Sequence, residues 1–300
     1  MNTYDMKLCK TLLLAAAAAF LAVSCNTANQ PVKTEHKALA DSSQYARVSM
    51  DIELPVSKPG AADAIRSTLL SVLYRQMSCL SFESDESSYP AFSGDEGDTG
   101  AVLDYLKTET MKVVAEASGL DAAARAEYIM EDPETTKEEK EAMMAEYPGW
   151  EYDYTIKKIA DKGSYAVFQS ENYLYMGGAH GGVTGKGAMT FDKKDGHLVE
   201  SLLIPGCTEA IQPLLVKGLL GYYKDADVEM TREELLDHLF IEGGIIPLPA
   251  WTPYPGEDGV VFTYQQYEIA SYAEGMPSFS IPYGEIKPFL TEEAAKLLGL

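Results

Sequence analysis

Two stretches of the chain alternate between apolar and polar residues, and a longer helical stretch separates them. The first runs from 45 to 56 and the second from 150 to 157. Their apolar members are Val48, Met50, Ile52 and Leu54, then Trp150, Tyr152, Tyr154 and Ile156. Because a two-residue period puts every second side chain on one face of a strand, both stretches predict half-buried β-strands.

The intervening segment predicts helices. Apolar residues recur at helical spacing over 61–78, which predicts an amphipathic helix there. Further helices are expected over 101–118 with Gly119 as the C-cap, over 121–130, and from a capping box at Thr136 to Glu146. The acidic stretch 81–100 predicts a loop. A calcium loop is not favoured there, because Leu106 stands where the bidentate Glu should fall.

A β-type composition returns after Pro148-Gly149. A turn at 161–163 predicts a hairpin that continues to Tyr175, and further strands are expected at 190–192 and 260–267. Helices are expected over 211–223, 231–240 and 291–298. Strands and helices without a regular β-α-β alternation predict an α+β fold. We expect an antiparallel sheet packed with helices, in a smaller module over 44–148 and a second module over 149–300.

The first 24 residues have the pattern of an export signal. Lys7 and Lys10 precede an apolar run from 11 to 23, which is shorter than the roughly 20 residues that span a bilayer. Cys25 follows a small residue, as in a bacterial lipobox, in which the cysteine is acylated and becomes the new N-terminus. We therefore expect a lipid on Cys25 and a polar tether over 25–43. The alternative is an ordinary secretory signal.

The expected location is the cell envelope. Asn26, rather than Asp, follows the lipid site and favours sorting to the outer membrane, facing the periplasm or the surface. The chain has 24 Lys and Arg against 46 Asp and Glu, a formal net charge of -22. Nucleic acid is therefore not expected as a partner, because phosphates need the opposite sign. A basic protein, a polycation or a divalent metal suits this charge better, although acidity also serves solubility alone.

Cys79 and Cys207 are the cysteines that remain once the signal and the lipid site are set aside. In an oxidising compartment they could form a disulfide. The alternative is that both are small buried hydrophobic side chains, and their spacing does not decide between the two.

Two segments rich in glycine and tyrosine stand in the second half of the chain. The first, 173–182, reads Tyr-Leu-Tyr-Met-Gly-Gly-Ala-His-Gly-Gly. The second, 262–275, reads Phe-Thr-Tyr-Gln-Gln-Tyr-Glu-Ile-Ala-Ser-Tyr-Ala-Glu-Gly, and Ile281-Pro282-Tyr283 follows it. In this order, over about 150–290, they resemble the RsiV C-terminal envelope domain family, a domain of unknown general function also found in the polysaccharide deacetylase PdaC.

The resemblance implies a non-catalytic extracytoplasmic module, here carried by a lipoprotein of the Bacteroides type. In RsiV the module is similar to a receptor for lysozyme. A cytoplasmic sigma-binding segment and a deacetylase domain are not expected in this chain, so the resemblance implies neither transcriptional regulation nor deacetylation.

The same segments supply the candidate ligand-binding residues. Glycines let a backbone approach a ligand, and tyrosine rings offer flat faces. The candidates are Tyr175, Gly177, Gly178, His180, Gly181, Trp251, Tyr264, Tyr267 and Glu268. The alternative for each is structural: the glycines shape a bend between strands, His180 bonds locally and the tyrosines pack on strands.

No catalytic set is expected. The glycine run is neither GxGxxG nor a Walker loop, GxSxG is missing, and the histidines have no metal-ligand spacing. These histidines are His36, His180, His197 and His238. We therefore expect no cofactor and no metal, and a binding role toward a protein or a peptidoglycan-related ligand. The alternative is an envelope hydrolase of glycan or peptide, with His180 and Glu268 as acid and base.

Overall fold

The computed structural model describes residues 30–56, 60–80, 89–178 and 181–300. The export signal, Cys25, the loop residues 81–88 and His180 lie outside the described residues. The predictions made for them therefore stay predictions.

Five strands form the larger sheet. They are β1 (Thr34–Ser42), β2 (Ala46–Pro55), β3 (Trp150–Lys162), β4 (Tyr165–Tyr175) and β5 (Val183–Asp192), and they lie side by side in this order. The two alternating stretches form β2 and the first part of β3, with their apolar side chains buried. The hairpin of β3 and β4 is confirmed, but its turn lies at Gly163-Ser164, because Asp161 and Lys162 still pair with β4.

The chain crosses from β2 to β3 through three helices. They are α1 (Ala61–Ser78), α2 (Thr99–Glu131) and α3 (Lys137–Ala145). α1 and the first half of α2 pack on the sheet through residues such as Leu69, Leu73 and Leu106. After Ser118, α2 has no buried residue, and α3 has none. We call residues 119–145 the helical arm.

A second, three-stranded sheet lies in the C-terminal part. Its strands, in order, are β6 (Tyr254–Pro255), β7 (Gly259–Thr263) and β8 (Ser278–Pro282). Helices α4 (Gln212–Asp225), α5 (Arg232–His238), α6 (Tyr283–Ile286) and α7 (Glu292–Leu298), with 3-10 turns at Tyr272–Glu274 and Lys287–Phe289, complete the fold. Their core joins Leu215 and Leu219 of α4 to Phe262 of β7 and Val167 of β4.

The α+β class is confirmed, and so are most of the predicted helices. α1 has the predicted bounds, and α3 and α5 begin at capping boxes formed by Thr136 and Thr231. One pairing departs from the expected antiparallel sheet, since β2 and β3 run parallel. Parallel neighbours need a long crossover, which the three helices provide.

Three further expectations are wrong. Residues 34–42 form β1, paired with β2 along its length, rather than part of a tether. No residue of this strand is fully buried, and its partly buried residues are irregularly spaced, so it has no apolar period to reveal it. Gly119 does not end a helix, because α2 continues to Glu131. The composition change near 149 does not separate two cores: Ile65 and Leu103 pack in one cluster with Tyr154 and Phe191.

The disulfide interpretation is also wrong, because Cys79 and Cys207 are both free thiols. Cys79 is exposed at the C-terminus of α1. Cys207 is buried in the C-terminal core, and burial raises the pKa of its thiol. Only Cys207 therefore fits the alternative of a small buried hydrophobic side chain.

Candidate binding site

The two ends of the five-stranded sheet differ. The chain enters beside the near end, where the Val32 amide donates to Asp161 Oδ2 at 2.8 Å. The distal end is formed by the last residues of β1 and β4 and the first residues of β2, β3 and β5. Nine residues of β1 separate the two ends, which corresponds to about 30 Å at the rise of an extended strand.

An open groove of about 1130 Å³ lies at the distal end, between the helical arm and the sheet. Its lining is mostly small or flexible apolar side chains with several tyrosines. It includes Ala122, Ala126, Tyr128, Met143, Met144, Tyr147 and Tyr175. The Tyr128 side chain is 79% exposed and Met143 is 51% exposed. Methionines adapt their shape to a partner, and tyrosines supply large contact areas, so this lining suits a protein surface.

Arg125 holds the glycine-rich bend against the helical arm. Its guanidinium donates to the Gly177 carbonyl at 2.7 Å and to Asp121 Oδ2 at 3.2 Å. It also lies 5.2 Å from the centre of the Tyr147 ring, within the range of a cation–π contact. Burial raises the pKa of Tyr147, whose hydroxyl donates to Asp121 at 2.9 Å. One wall of the groove is therefore fixed by a connected polar network.

The candidates Tyr175 and Gly177 line this groove. The Tyr175 hydroxyl donates to the Gly178 carbonyl at 3.3 Å, so the bend closes on itself. Gly177 has a φ of 69°, which a residue with a side chain rarely adopts. Ligand contact at these three residues stays a prediction.

Gly181 lies on the other side of the bend, next to a pair of tyrosines. A Cβ at Gly181 would stand 2.6 Å from the Tyr272 hydroxyl oxygen, and that hydroxyl donates to the Gly182 carbonyl at 2.9 Å. The Tyr267 ring lies 5.7 Å from the Tyr272 ring and its residue is 63% exposed. Tyr267 is not on a strand, because β7 ends at Thr263, and its φ of 64° marks a turn. Gly177 therefore lies at the groove, Gly181 lies at the tyrosine pair, and Tyr267 does not line the groove.

Glu268 and Trp251 are engaged within the fold. The Glu268 carboxylate accepts the Ala250 amide at 2.6 Å through Oε1 and the Gln265 amide at 2.7 Å through Oε2. The Trp251 ring covers Gly187 of β5 so closely that a Cβ there would overlap it. Both residues tie the loop around 250 to the sheet.

The expectation of ligand contact at Tyr264 is wrong. This residue is completely buried, and its hydroxyl donates to the Pro247 carbonyl at 2.8 Å. Burial raises its pKa far above the usual value for tyrosine. Tyr264 is a core residue that fixes the apolar loop before Trp251.

Gln265 and Gln266 are residues whose role the sequence did not reveal. Gln265 Oε1 accepts the Lys186 amide and its Nε2 donates to the Lys186 carbonyl, both at 2.8 Å. Gln266 Oε1 accepts the Thr184 amide at 2.8 Å. Since β5 is an edge strand, the two side chains satisfy backbone groups that a neighbouring strand would otherwise bond. No local pattern distinguishes this pair from two exposed glutamines.

The described part of the chain contains neither a cluster of metal ligands nor a helix suited to span a membrane. Over residues 30–56, 60–80, 89–178 and 181–300, no three His, Cys, Asp or Glu residues converge as metal ligands. Within the same ranges, no helix combines the length and the apolar character needed to cross a bilayer.

Comparison with known proteins gives a family of unknown function. Residues 231–284 match the model of the family described as "Protein of unknown function (DUF3298)". The matched segment runs from the N-cap of α5 through β8 to the first residues of α6, and includes Trp251, Glu268 and the tyrosine pair. No curated protein matches the chain.

Two solved structures of that family have a similar fold. A DUF3298 family member from Bacteroides fragilis superposes with a TM-score of 0.62 at 15% identity, over 89% of this chain and 98% of its own. A DUF3298 family protein from Pseudomonas aeruginosa has a TM-score of 0.52 at 16% identity, over 89% and 98%. At these identities the likeness concerns the fold.

Proposed function

We propose that this chain is a non-catalytic lipoprotein of the cell envelope that binds a basic protein in the distal groove. This proposal rests on the position of the groove, which lies at the end of the sheet opposite to the side where the chain enters. From Cys25 to Val32 the chain advances seven residues, which reach at most about 25 Å. A lipid on Cys25 would hold the near end at the membrane and present the groove outward.

The charge around the groove supports a basic partner. The end of the helical arm and the residues that follow carry many carboxylates and few amines. Over 131–146 the acidic residues are Glu131, Asp132, Glu134, Glu138, Glu139, Glu141 and Glu146, against Lys137 and Lys140. Such a field attracts a cationic surface and speeds the encounter, while the apolar lining supplies the contact. Through the family resemblance, a lysozyme is the first partner to test.

The engagement of Glu268 supports a non-catalytic role. Each of its carboxylate oxygens accepts a backbone amide, at 2.6 and 2.7 Å. A general acid or base needs to exchange a proton with a substrate. Glu268 is therefore a poor partner for His180 in hydrolysis.

We expect Tyr128→Ala to weaken binding of a basic lysozyme by about tenfold or more, because exposed tyrosines at the centre of interfaces are frequent hot spots. Binding of lysozyme to the protein from residue 26 onward is measured by titration calorimetry. Tyr267→Ala is the matched control, since Tyr267 is also exposed but does not line the groove. Succinylated lysozyme, which has lost its positive lysine charges, tests whether binding depends on the basic charge of the partner.

Three outcomes would contradict the groove proposal: no binding at micromolar lysozyme, equal losses in both variants, or a loss at Tyr267→Ala alone. The last outcome would move the site to the pair of Tyr267 and Tyr272. Binding of soluble peptidoglycan fragments instead of lysozyme would favour a cell-wall ligand.

We expect Cys25→Ser to abolish incorporation of labelled palmitate and to release the protein from membranes. Acylation needs the thiol, and a single serine hydroxyl does not replace it in this pathway. The measurement is autoradiography of cells grown with labelled palmitate. Cys79→Ser, a change at an exposed free thiol, is the control and should keep its label. Label on the Cys25→Ser variant would refute the anchor.

A further inference from the structure

β8 leaves one edge of the smaller sheet open. Tyr264 donates its amide to the Pro277 carbonyl at 2.9 Å, and Tyr283 donates to the Asp258 carbonyl at 3.3 Å. In an antiparallel pair the backbone groups alternate between neighbours, so Phe279 and Ile281 also bond toward β7. The amides of Ser278 and Ser280 then point outward. In the part of the chain that the structure describes, neither has a partner.

Both edges of the larger sheet are protected, whereas β8 lacks comparable protection. β5 is covered by Gln265 and Gln266. β1 carries Glu35, Lys37 and Asp41, and charged side chains on an edge discourage the addition of a strand. β8 reads Ser-Phe-Ser-Ile-Pro and carries no charge.

A groove of about 370 Å³ lies along this edge, between α4 and β8. Gly218 allows the close packing of the two elements, since a Cβ there would overlap the Phe279 ring. Gly221, one turn later on α4, has nothing within 4 Å of its Cβ position. Leu214, Phe279 and Ile281 give the groove an apolar lining. An open strand edge beside a helix is the arrangement in which extended peptides bind by strand addition.

The charges at the two ends of the groove differ. At the Pro282 end, Lys217 Nζ pairs with Glu285 Oε1 at 2.9 Å. At the Ser278 end, where the Tyr222 hydroxyl donates to the Glu274 carbonyl, α4 finishes with Asp225. Asp225 lines the groove and is exposed, and its carboxylate has no ion-pair or hydrogen-bond partner among the described residues. The Ser278 end therefore favours a cationic side chain.

We propose that β8 and α4 bind an extended segment of a partner protein, which adds a strand to β8. Ser278 and Ser280 bond its backbone, alternate apolar side chains fill the groove, and a Lys or Arg lies beside Asp225. A helical partner has no free backbone groups for the two amides, so the extended conformation follows from them. This site lies on the smaller sheet, apart from the distal groove, and is independent of the function proposed above.

The probe is a phage-displayed library of random linear dodecapeptides, selected on the protein from residue 26 onward and re-measured as synthetic fluorescent peptides. We expect sequences with alternating apolar residues and a basic residue at one end. Ser280→Pro removes one outward amide, at a position where an edge strand tolerates proline. It should lower the affinity of the selected peptides about tenfold. Ser280→Ala keeps the amide and should bind like the wild type.

A second variant keeps the test valid if the proline variant fails to fold. Gly221→Leu fills the groove from α4, where the Cβ position is open, and should also lower affinity at least tenfold. Gly284→Leu is its control, because Gly284 is exposed and its Cβ position is equally open. The proposal is overturned if no peptides are enriched, or if enriched peptides bind Gly221→Leu as tightly as the wild type. It is also overturned if sedimentation shows a dimer of the wild type and a monomer of Gly221→Leu. A second copy of the chain would then occupy the groove.

Discussion

Replacing Asp161 with asparagine is expected to lower the free energy of unfolding by about 3–5 kcal/mol at neutral pH. Asp161 Oδ1 pairs with Lys193 Nζ at 2.7 Å, and Oδ2 pairs with Lys158 Nζ at 3.0 Å. The Lys193 side chain is only 3% exposed. Removing the carboxylate charge therefore leaves a buried ammonium without a counter-charge, which costs far more than the loss of a surface pair.

The effect of Asp161→Asn should depend on pH in a defined direction. Burial alone would raise the pKa of Asp161, but the hydrogen bonds from Lys193, Lys158 and the Val32 amide hold it below its usual value. A lowered pKa means that the carboxylate stabilises the fold above its unfolded pKa of about 3.9. The contribution is lost as the pH falls through the folded pKa, so the difference between wild type and variant should narrow below about pH 4.

Urea denaturation at pH 7 and in steps down to pH 3 measures both effects. Lys194→Ala is the control, because Lys194 is the exposed neighbour of Lys193, and its loss should change stability by less than about 0.5 kcal/mol. A loss below about 1 kcal/mol for Asp161→Asn, or a difference that widens in acid, would contradict the interpretation. The network also binds Val32, so it fixes the point at which the chain enters the fold.

Local patterns predicted those elements whose determinants are close in sequence. The stripe of α1 and the capping boxes at Thr136 and Thr231 depend on residues within one or two helical turns. The hairpin of β3 and β4 depends on a tight turn and on the alternation of apolar and polar residues in β3. In each case the physical cause lies within about twenty residues, so a single sequence is sufficient.

Other features depend on partners far along the chain. β1 has no fully buried residue and is a strand because β2 offers it hydrogen bonds. The parallel pairing of β2 with β3 follows from the crossover of about a hundred residues between them. Gly119 can stay helical because α2 continues past it toward the polar network of Asp121 and Arg125. Such long-range causes produce no periodic pattern of apolar residues in the local sequence.

The candidate site was predictable only in part. The glycine-rich segment identified the distal bend, and Tyr175 and Gly177 lie in the groove. Most of the groove, however, comes from alanines, methionines and Tyr128 of the helical arm, where the sequence predicted helices but no site. Tyr264 illustrates the opposite error, since a ring that is wholly buried cannot be distinguished by type from the exposed Tyr267.

Gly149→Ala is expected to lower the free energy of unfolding by about 3 kcal/mol and to weaken binding at the groove. Gly149 has a φ of 74°, and a side chain in this left-handed region costs about 1–2 kcal/mol. Its Cβ would also stand 2.6 Å from the Tyr45 carbonyl oxygen, a backbone atom that accepts the Trp150 amide at 2.8 Å. Relief of this clash must shift the start of β2 against β3, which adds about 1–3 kcal/mol.

Gly163→Ala separates the two contributions. Gly163 also has a positive φ, of 48°, but nothing lies within 4 Å of its Cβ position, so only the conformational cost of about 1 kcal/mol applies. Urea denaturation and lysozyme titration of both variants are compared. Because Tyr45 and Pro148 line the groove, only Gly149→Ala should reduce binding. Equal losses of stability would mean that the approach of the two strands is not tight, and the distal groove would then lack the rigid floor that its proposed role requires.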